Sequence, residues 1–489
     1  MKHIGVCKLC CGLLRGEFEL HPNQLIHLYI FLHSLADNLN PMKKYLFSLI
    51  FLVALSLPAC KNNTETSRLQ IASSMETTLS GILESWYPQA VDTAYGGFLS
   101  TFTYDFKPTD DQDKMIVTQA RHVWTNAKAA QRYPDVDHYQ SSARHGFEFL
   151  KNVMWDKEYG GFYWLVDRKG NVKGDSSKTA YGNAFGIYAM AAYYSSSKDT
   201  SALNLAKKAF GWLEKNSHDA KSKGYFQHLK RNGTLIIRNA ETPSTAETGY
   251  KDQNSSIHLL EAFTELYQVW PDELLRERLN EMLVLIRDTI TTEKGYLTLF
   301  LQPDWTPVSL ADSSKEVIEK HHQLDHVSFG HDVETAYLMI EASHILGLEN
   351  DTVTRTIAKR MVDHSLNNGW DNTVGGFYDE AYYFKGDSII TITRDTKNWW
   401  AQAEGLNALL LMADLYPDDK MNYFQKFETL WKYTDTYLID HEHGDFYTGG
   451  LDKQPELKTA LKGHIWKAAY HQYRSLENCI DRLKDEEKE

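Results

Sequence analysis

Cysteine is scarce in this chain of 489 residues: of its 5, three crowd into Cys7, Cys10 and Cys11, leaving only Cys60 and Cys479 beyond them. A disulfide-stapled fold is therefore not expected, and the CxxCC cluster has no second ligand pair nearby with which to hold zinc. Basic runs are lacking after Lys44. The formal charge is -13, and residues 1–59 hold 5 of the 52 basic and 3 of the 65 acidic residues, so the remainder carries -15. Nucleic acid would want the opposite sign, and no such partner is expected. The apolar run Leu46 to Ala59 has 14 residues, too few to span a bilayer comfortably, since a helix needs ~20. An HExxH zinc motif is missing as well.

The same apolar run reads as an export signal. Met42-Lys43-Lys44 precedes it and Leu57-Pro58-Ala59-Cys60 ends it, with a small residue directly before Cys as in the lipobox of bacterial lipoproteins. Cys60 would then be lipidated and become the mature N-terminus in the cell envelope, with membrane contact only through that anchor. Lys61-Asn62-Asn63 offers no inner-membrane retention Asp, which favours the outer membrane. Residues 1–41 precede the signal and are expected to lie upstream of the true start. The expected division is therefore 1–41 as an extension, 42–59 as signal peptide, 60–74 as linker and 75–489 as one catalytic domain, acting as a monomer.

What the chain has in abundance is repetition. An acidic residue, a few polar residues and a Gly lead into an aromatic or apolar residue six times: Asp92 to Phe98, Asp156 to Phe162, Asp219 to Phe226, Glu293 to Leu297, Asp371 to Phe377 and Asp440 to Phe446. The closing residues are 64, 64, 71, 80 and 69 apart. Between the turns, apolar residues recur at helical spacing over Ala180 to Tyr194, Ile257 to Trp270, Leu274 to Ile290, Val333 to Leu346, Ala403 to Leu415 and Ile465 to Leu483. About 64 residues hold two helices and their connections. Six hairpins that cannot bury their apolar faces alone are expected to close into an all-α (α/α)6 barrel, in preference to an open solenoid.

Polar residues interrupt each unit at a similar phase. Counted from the preceding turn, Arg121 stands at +23, Tyr181 at +19, Asn254 and His258 at +28 and +32, His331 at +34, Trp400 at +23 and His471 at +25. Equal phase in a ring means equal height, so these side chains are expected at one mouth of the barrel. His331 and Glu334 are i,i+3, while Asn254 with His258 and Trp400 with Glu404 are i,i+4, which puts each pair on one helical face. Trp466 lies five residues before His471 and flanks it. A metal reading of His331 with Glu334, of His321-His322 or of His441-Glu442-His443 competes with an acid/base reading; no metal is expected.

Six segments carry a family resemblance: QARHVW (Gln119 to Trp124), YGNAFGIYA (Tyr181 to Ala189), NSSIHLLEAF (Asn254 to Phe263), GHDVETAYL (Gly330 to Leu338), WWAQAEGL (Trp399 to Leu406) and WKAAYHQYR (Trp466 to Arg474). One per repeat and in order, they resemble the N-acylglucosamine 2-epimerase family, and within it the cellobiose 2-epimerases, over about residues 75–485. The resemblance implies that His331 and His471 are the acid/base pair on opposite faces of a sugar C2, with Glu334 supporting ring opening or holding His331. It places sugar binding on Arg121, Tyr181, Asn254, His258, Trp400, Glu404 and Trp466. It further implies 2-epimerisation of the reducing-end glucose or mannose of a β-1,4-linked disaccharide, without a cofactor. Aldose–ketose isomerisation of a monosaccharide such as mannose and simple glycan binding are the rival functions.

Overall fold

The computed structural model describes residues 67–348, 350–387 and 389–485. The stretches expected as signal peptide and upstream extension, and Cys60, lie outside the described residues. Residues 67–74, expected as linker, are already helical, and Ala72 is fully buried. From residue 72 onward the chain forms one compact unit.

In chain order the helices are α1 (67–86) and α2 (Ile116–Arg132), α3 (Asp137–Phe149) and α4 (Ala180–Ser197), α5 (Thr200–Asn216) and α6 (Gln253–Val269). They continue with α7 (Glu273–Leu285), the short α8 (Lys315–Lys320) and α9 (Phe329–Ile345), α10 (Thr352–Asn368) and α11 (Trp399–Leu415), and α12 (Tyr423–Tyr437) and α13 (Tyr470–Asp485). α2 packs on α4, α4 on α6, α6 on α9, α9 on α11, α11 on α13, and α13 on α2. That circuit is closed, as the sixfold repeat predicts, and excludes an open solenoid. The helices α3, α5, α7, α10 and α12 each pack outside an inner neighbour. Inner helices are buried nearly all round, as Ala180 to Tyr193 illustrates, which is what an apolar helix without a polar face requires. Outer helices keep one buried stripe, as in Ala202, Leu205, Ala206, Ala209 and Leu213 of α5.

Every repeated turn closes as a one-bridge hairpin: Val91 with Phe98, Trp155 with Phe162, His218 with Tyr225, Thr291 with Leu297, Trp370 with Phe377 and Ile439 with Phe446. The glycine in each is needed for its backbone. Gly97 and Gly161 sit at φ +67° and +75°, and a Cβ at Gly161 would stand 2.8 Å from the Trp212 ring. Four of the six turns are locked from the inner ring. Gln119 accepts from Phe98 N–H, Asn183 from Phe162 N–H, Asp332 from Leu297 N–H and Gln402 from Phe377 N–H.

A second lock went unread in the sequence. The turn Asp receives a buried lysine: Lys114 on Asp92 and Lys178 on Asp156 at 2.9 Å, Lys251 on Asp219 and Lys397 on Asp371 at 2.8 Å, Lys462 on Asp440 at 2.7 Å. Arg168 and Arg231, from the following unit, also reach Asp92 and Asp156.

Three of these lysines lie in short strands that lead into the inner helices: β1 (Lys114–Met115), β3 (Lys178–Thr179) and β5 (Lys251–Asp252) pair antiparallel with β2 (Leu165–Val166), β4 (His228–Leu229) and β6 (Phe300–Leu301). β7 (Val327–Ser328) pairs with β8 (Glu380–Tyr382), which also carries β9 (Thr391–Arg394). The ladders fix where α2, α4, α6 and α9 begin, and the bridge of Asn398 with Gly449 and the turn of His464 with Lys467 do so for α11 and α13, all at one mouth.

Two periodic stretches end differently from their pattern. Leu274 to Ile290 leaves the α-helix after Leu285 for a wider π-helical turn, Ile286–Ile290. Ile465 to Leu483 becomes helical only at Tyr470, because His464 and Lys467 close a tight turn ahead of it.

Candidate active site at the barrel mouth

The polar stations fall in the first two turns of the inner helices: Arg121 on α2, Tyr181 on α4, Asn254 and His258 on α6, His331 and Glu334 on α9, Trp400 and Glu404 on α11, and His471 on α13. Trp466 precedes α13 in the tight turn and is 45% exposed, so it stands at the rim beside His471's helix. Side chains close the circle. The Trp400 ring lies 4.7 Å from the His331 ring and 5.8 Å from the His471 ring, centroid to centroid. Tyr181 meets His258 edge-on at 5.1 Å. Arg121 donates to the Trp466 carbonyl at 3.0 Å while its guanidinium covers the Phe185 and Tyr470 rings at 4.8 and 5.0 Å. Trp466 and Tyr181 both approach Trp164, at 6.0 and 6.3 Å. Burial pushes the Tyr181 hydroxyl up to about 12, and the nearby Asn254 amide opposes that rise.

Beneath the histidines lies a charged floor that i,i+3 and i,i+4 spacing did not reveal. Arg474, one turn after His471, donates through one nitrogen to Glu334 at 2.5 Å and to Glu404 at 2.6 Å, and through the other to Glu261 and the Tyr470 hydroxyl. All of these side chains are buried. Burial would raise Glu261, yet Arg474, His258 and Tyr470 outweigh it and hold its carboxyl at about 2. Ionised, Glu261 can only accept, so His258 Nδ1 donates to it at 2.8 Å.

The same logic fixes His471. Its Nδ1 lies 2.7 Å from Glu404 Oε1, the oxygen that also accepts from Arg474. The ring proton therefore sits on Nδ1, and Nε2 presents a lone pair. His331 is held differently: Nδ1 meets the Ser328 hydroxyl at 2.8 Å. Burial depresses both imidazoles. His331 falls to about 3, with the neighbouring His258 and His326 adding to the effect. His471 falls well below the usual range, where Arg121 adds to burial and Glu334 opposes it. Both rings are neutral at pH 7.

Two expected residues take different places. Glu334 does not hold His331; Arg474 draws its carboxylate to the other side, 3.9 Å from His471 Nδ1. Glu404 is fully buried beside His471 with its Oε1 committed to His471 and Arg474, so it carries the histidine, while its Oε2 meets no donor among the described residues. Ser328, Glu261, Tyr470 and Arg474 were missed. Their signal was weak but present, since Ser328 is i-3 from His331, Glu261 is i+3 from His258, and Tyr470 and Arg474 flank His471 within a quoted segment.

Among the described residues, two groups have ligand atoms close enough to share a metal: Glu334, Glu404 and His471, and His322, His326 and Glu380. In each an arginine already supplies the positive charge: Arg474 in the first, and in the second Arg394, at 2.6 Å from His322 Nε2 and 3.2 Å from Glu380. His441-Glu442-His443 lies in the sixth turn, with His441 largely exposed.

The arrangement agrees with known proteins. The chain matches the N-acylglucosamine 2-epimerase (GlcNAc 2-epimerase) family over residues 96–475. It is 29% identical to the cellobiose 2-epimerase of Ruminococcus albus over 394 residues, covering 80% of this chain and 93% of that protein. It is 23% identical to the D-mannose isomerase of Marinomonas mediterranea, over 84% and 96% of the two chains. The solved cellobiose 2-epimerase of Spirochaeta thermophila superposes with a TM-score of 0.73 at 26% identity, covering 87% of this chain and 99% of that one. A repeated ring closed by six inner helices, two neutral imidazoles at its mouth and a family match across more than three quarters of the sequence all agree: the chain belongs to the N-acylglucosamine 2-epimerase family, whose members are carbohydrate epimerases and isomerases.

Proposed function

We propose that the protein epimerises C2 of the reducing-end glucose or mannose in a β-1,4-linked disaccharide. The observation that carries this reading is the pair of neutral imidazoles, His331 and His471, both against the Trp400 ring and each held at Nδ1. The C2 proton of an aldose becomes acidic only when C1 is an open carbonyl. A neutral imidazole at C2 can then break the C–H bond, leaving the electron pair in an enediolate stabilised by Arg121. A proton returned by the opposite imidazole gives the 2-epimer. The aromatic rim of Trp466, Trp164 and Tyr181 suits the second pyranose.

Returning the proton to C1 instead would give a ketose, and the likeness to D-mannose isomerases supports that as the second reading. Two bases favour epimerisation, because isomerisation needs only one shuttling group. The export signal supports lipid attachment through Cys60 and action on sugars outside the inner membrane.

The test is proton NMR in D2O with cellobiose, mannobiose, glucose and mannose, beside a His331→Ala, His471→Ala variant. Deuterium at C2 with a new 2-epimer, lost in the variant, supports the reading. A ketose moves it to isomerase, and binding of a sugar that never exchanges its C2 proton replaces it with glycan binding.

A further inference from the structure

The two imidazoles are tethered by chemically different groups. Glu404 Oε1 only accepts, which leaves His471 Nε2 bare. A hydroxyl both donates and accepts, so the Ser328 bond at 2.8 Å permits His331 either tautomer.

Ser328 also breaks a local rule. It is the residue before α9, the place where Ser, Thr, Asp and Asn ordinarily accept from the N–H two or three residues on. The equivalent Thr179, Asp252 and Asn398 do so for α4, α6 and α11. Ser328 makes no such cap. Its hydroxyl turns to His331 instead, and its backbone is pinned by pairing with Glu380 of β8. A cap is worth about 1 kcal/mol; α2 and α12 also lack one, but at α9 the hydroxyl that could cap is bonded to His331 instead.

We propose that Ser328 is the positioning residue of His331, and that the contrast between its hydroxyl and the Glu404 carboxylate makes the two faces of the reaction unequal. The inference rests on the epimerase reading. When His471 takes the C2 proton, the imidazolium forms against Glu404, with Glu334 at 3.9 Å. When His331 takes it, the imidazolium forms against a neutral hydroxyl. In each direction the C2–H bond breaks toward Nε2 of one ring, which becomes imidazolium. The other ring, first protonated from solvent, gives its Nε2 proton to C2 and becomes neutral. The first ring then returns its proton to solvent, so protons and charge balance over the cycle. His331 depends on Ser328 to aim its Nε2, whereas His471 does not.

The test measures C2 deuterium washout and epimer formation separately, in D2O, from cellobiose and from its mannose-ended epimer. Ser328→Ala is expected to slow epimer formation about 10–100-fold, the scale seen when the partner that orients a metal-bound imidazole is removed. Washout from the epimer whose C2 proton faces His471 should stay within about threefold of wild type, while washout from the other falls with epimerisation. Ser328→Thr, which keeps the hydroxyl, should restore both. Equal losses of washout from the two epimers, or unimpaired epimerisation, would overturn the proposal. Should Ser328→Ala not fold, Ser328→Cys keeps the shape with a weak donor and is read the same way. Absence of C2 exchange in the wild-type protein would instead sink the epimerase reading itself.

Discussion

Glu404→Gln separates the role given to Glu404 by geometry from the sugar-binding role implied by resemblance. The carboxylate makes two charge-assisted bonds through one oxygen, at 2.7 Å to His471 Nδ1 and 2.6 Å to Arg474. An amide fits the same space but carries donors as well. If its NH2 turns to His471, the ring proton moves to Nε2 and the lone pair that would meet the C2 hydrogen disappears. The corresponding exchange in Ser-His-Asp hydrolases costs about 10⁴ in kcat by the wrong-tautomer route. Here Glu334 at 3.9 Å partly replaces the missing charge, so a loss of about 10³ in kcat is expected, or ~4 kcal/mol of barrier. KM should change less than about threefold, because Glu404 Oε1 is committed to His471 and Arg474. Stability should hold, since the amide oxygen can still accept from Arg474, which keeps Glu334 and Glu261 as charged partners. Initial rates against substrate concentration, with a thermal melt as control, decide the matter. A raised KM with near-normal kcat would refute the tautomer argument and return Glu404 to the sugar.

Trp466→Ala should show the opposite split: KM for a disaccharide rises about tenfold, or ~1.4 kcal/mol, while KM for a monosaccharide barely moves; equal effects on both would dissociate Trp466 from the second sugar. Lys462→Met strands Asp440, its fully buried partner at 2.7 Å, and should cost about 3–5 kcal/mol in urea unfolding. Adding Asp440→Asn should recover part of that loss, and a double variant no better than the single would contradict the pairing. Acid should destabilise the fold through His122, which burial lowers to about 3 and which bonds the Tyr87 hydroxyl at 2.8 Å. Below its unfolded value near ~6.5 the unfolded chain binds a proton that the native core refuses. Stability therefore falls from pH 6.5 toward 3, by up to ~1.4 kcal/mol per pH unit from this residue. Urea titrations of His122→Phe across that window should give a shallower slope than wild type.

Much of the architecture is legible in the sequence because it is said six times. The Gly-turn spacing gives the number of hairpins, and the common phase of Arg121, Tyr181, His258, His331, Trp400 and His471 gives their shared mouth. What spacing along a helix cannot give is a partner from across the ring. Arg474 meets Glu261, Glu334 and Glu404 from three other helices, so Glu334 appears beside His331 in sequence while its charge is drawn toward His471. The Asp–Lys locks were legible in principle: 22 residues separate Lys114 from Asp92, Lys178 from Asp156 and Lys462 from Asp440. The start of α13 was not, because the apolar pattern runs through a turn whose closing bond joins His464 and Lys467.

Arg168 and Arg231 reach back from one unit to the turn of the unit before it, and the circuit of inner helices has no first or last member. An open stack of hairpins frays from its ends, and its amides exchange with solvent in a gradient from cap to centre. A circle whose hairpins are each gripped from both sides has no such gradient. Slowly exchanging amides on all six inner helices should therefore open together, in a single cooperative event whose free energy is that of the whole barrel.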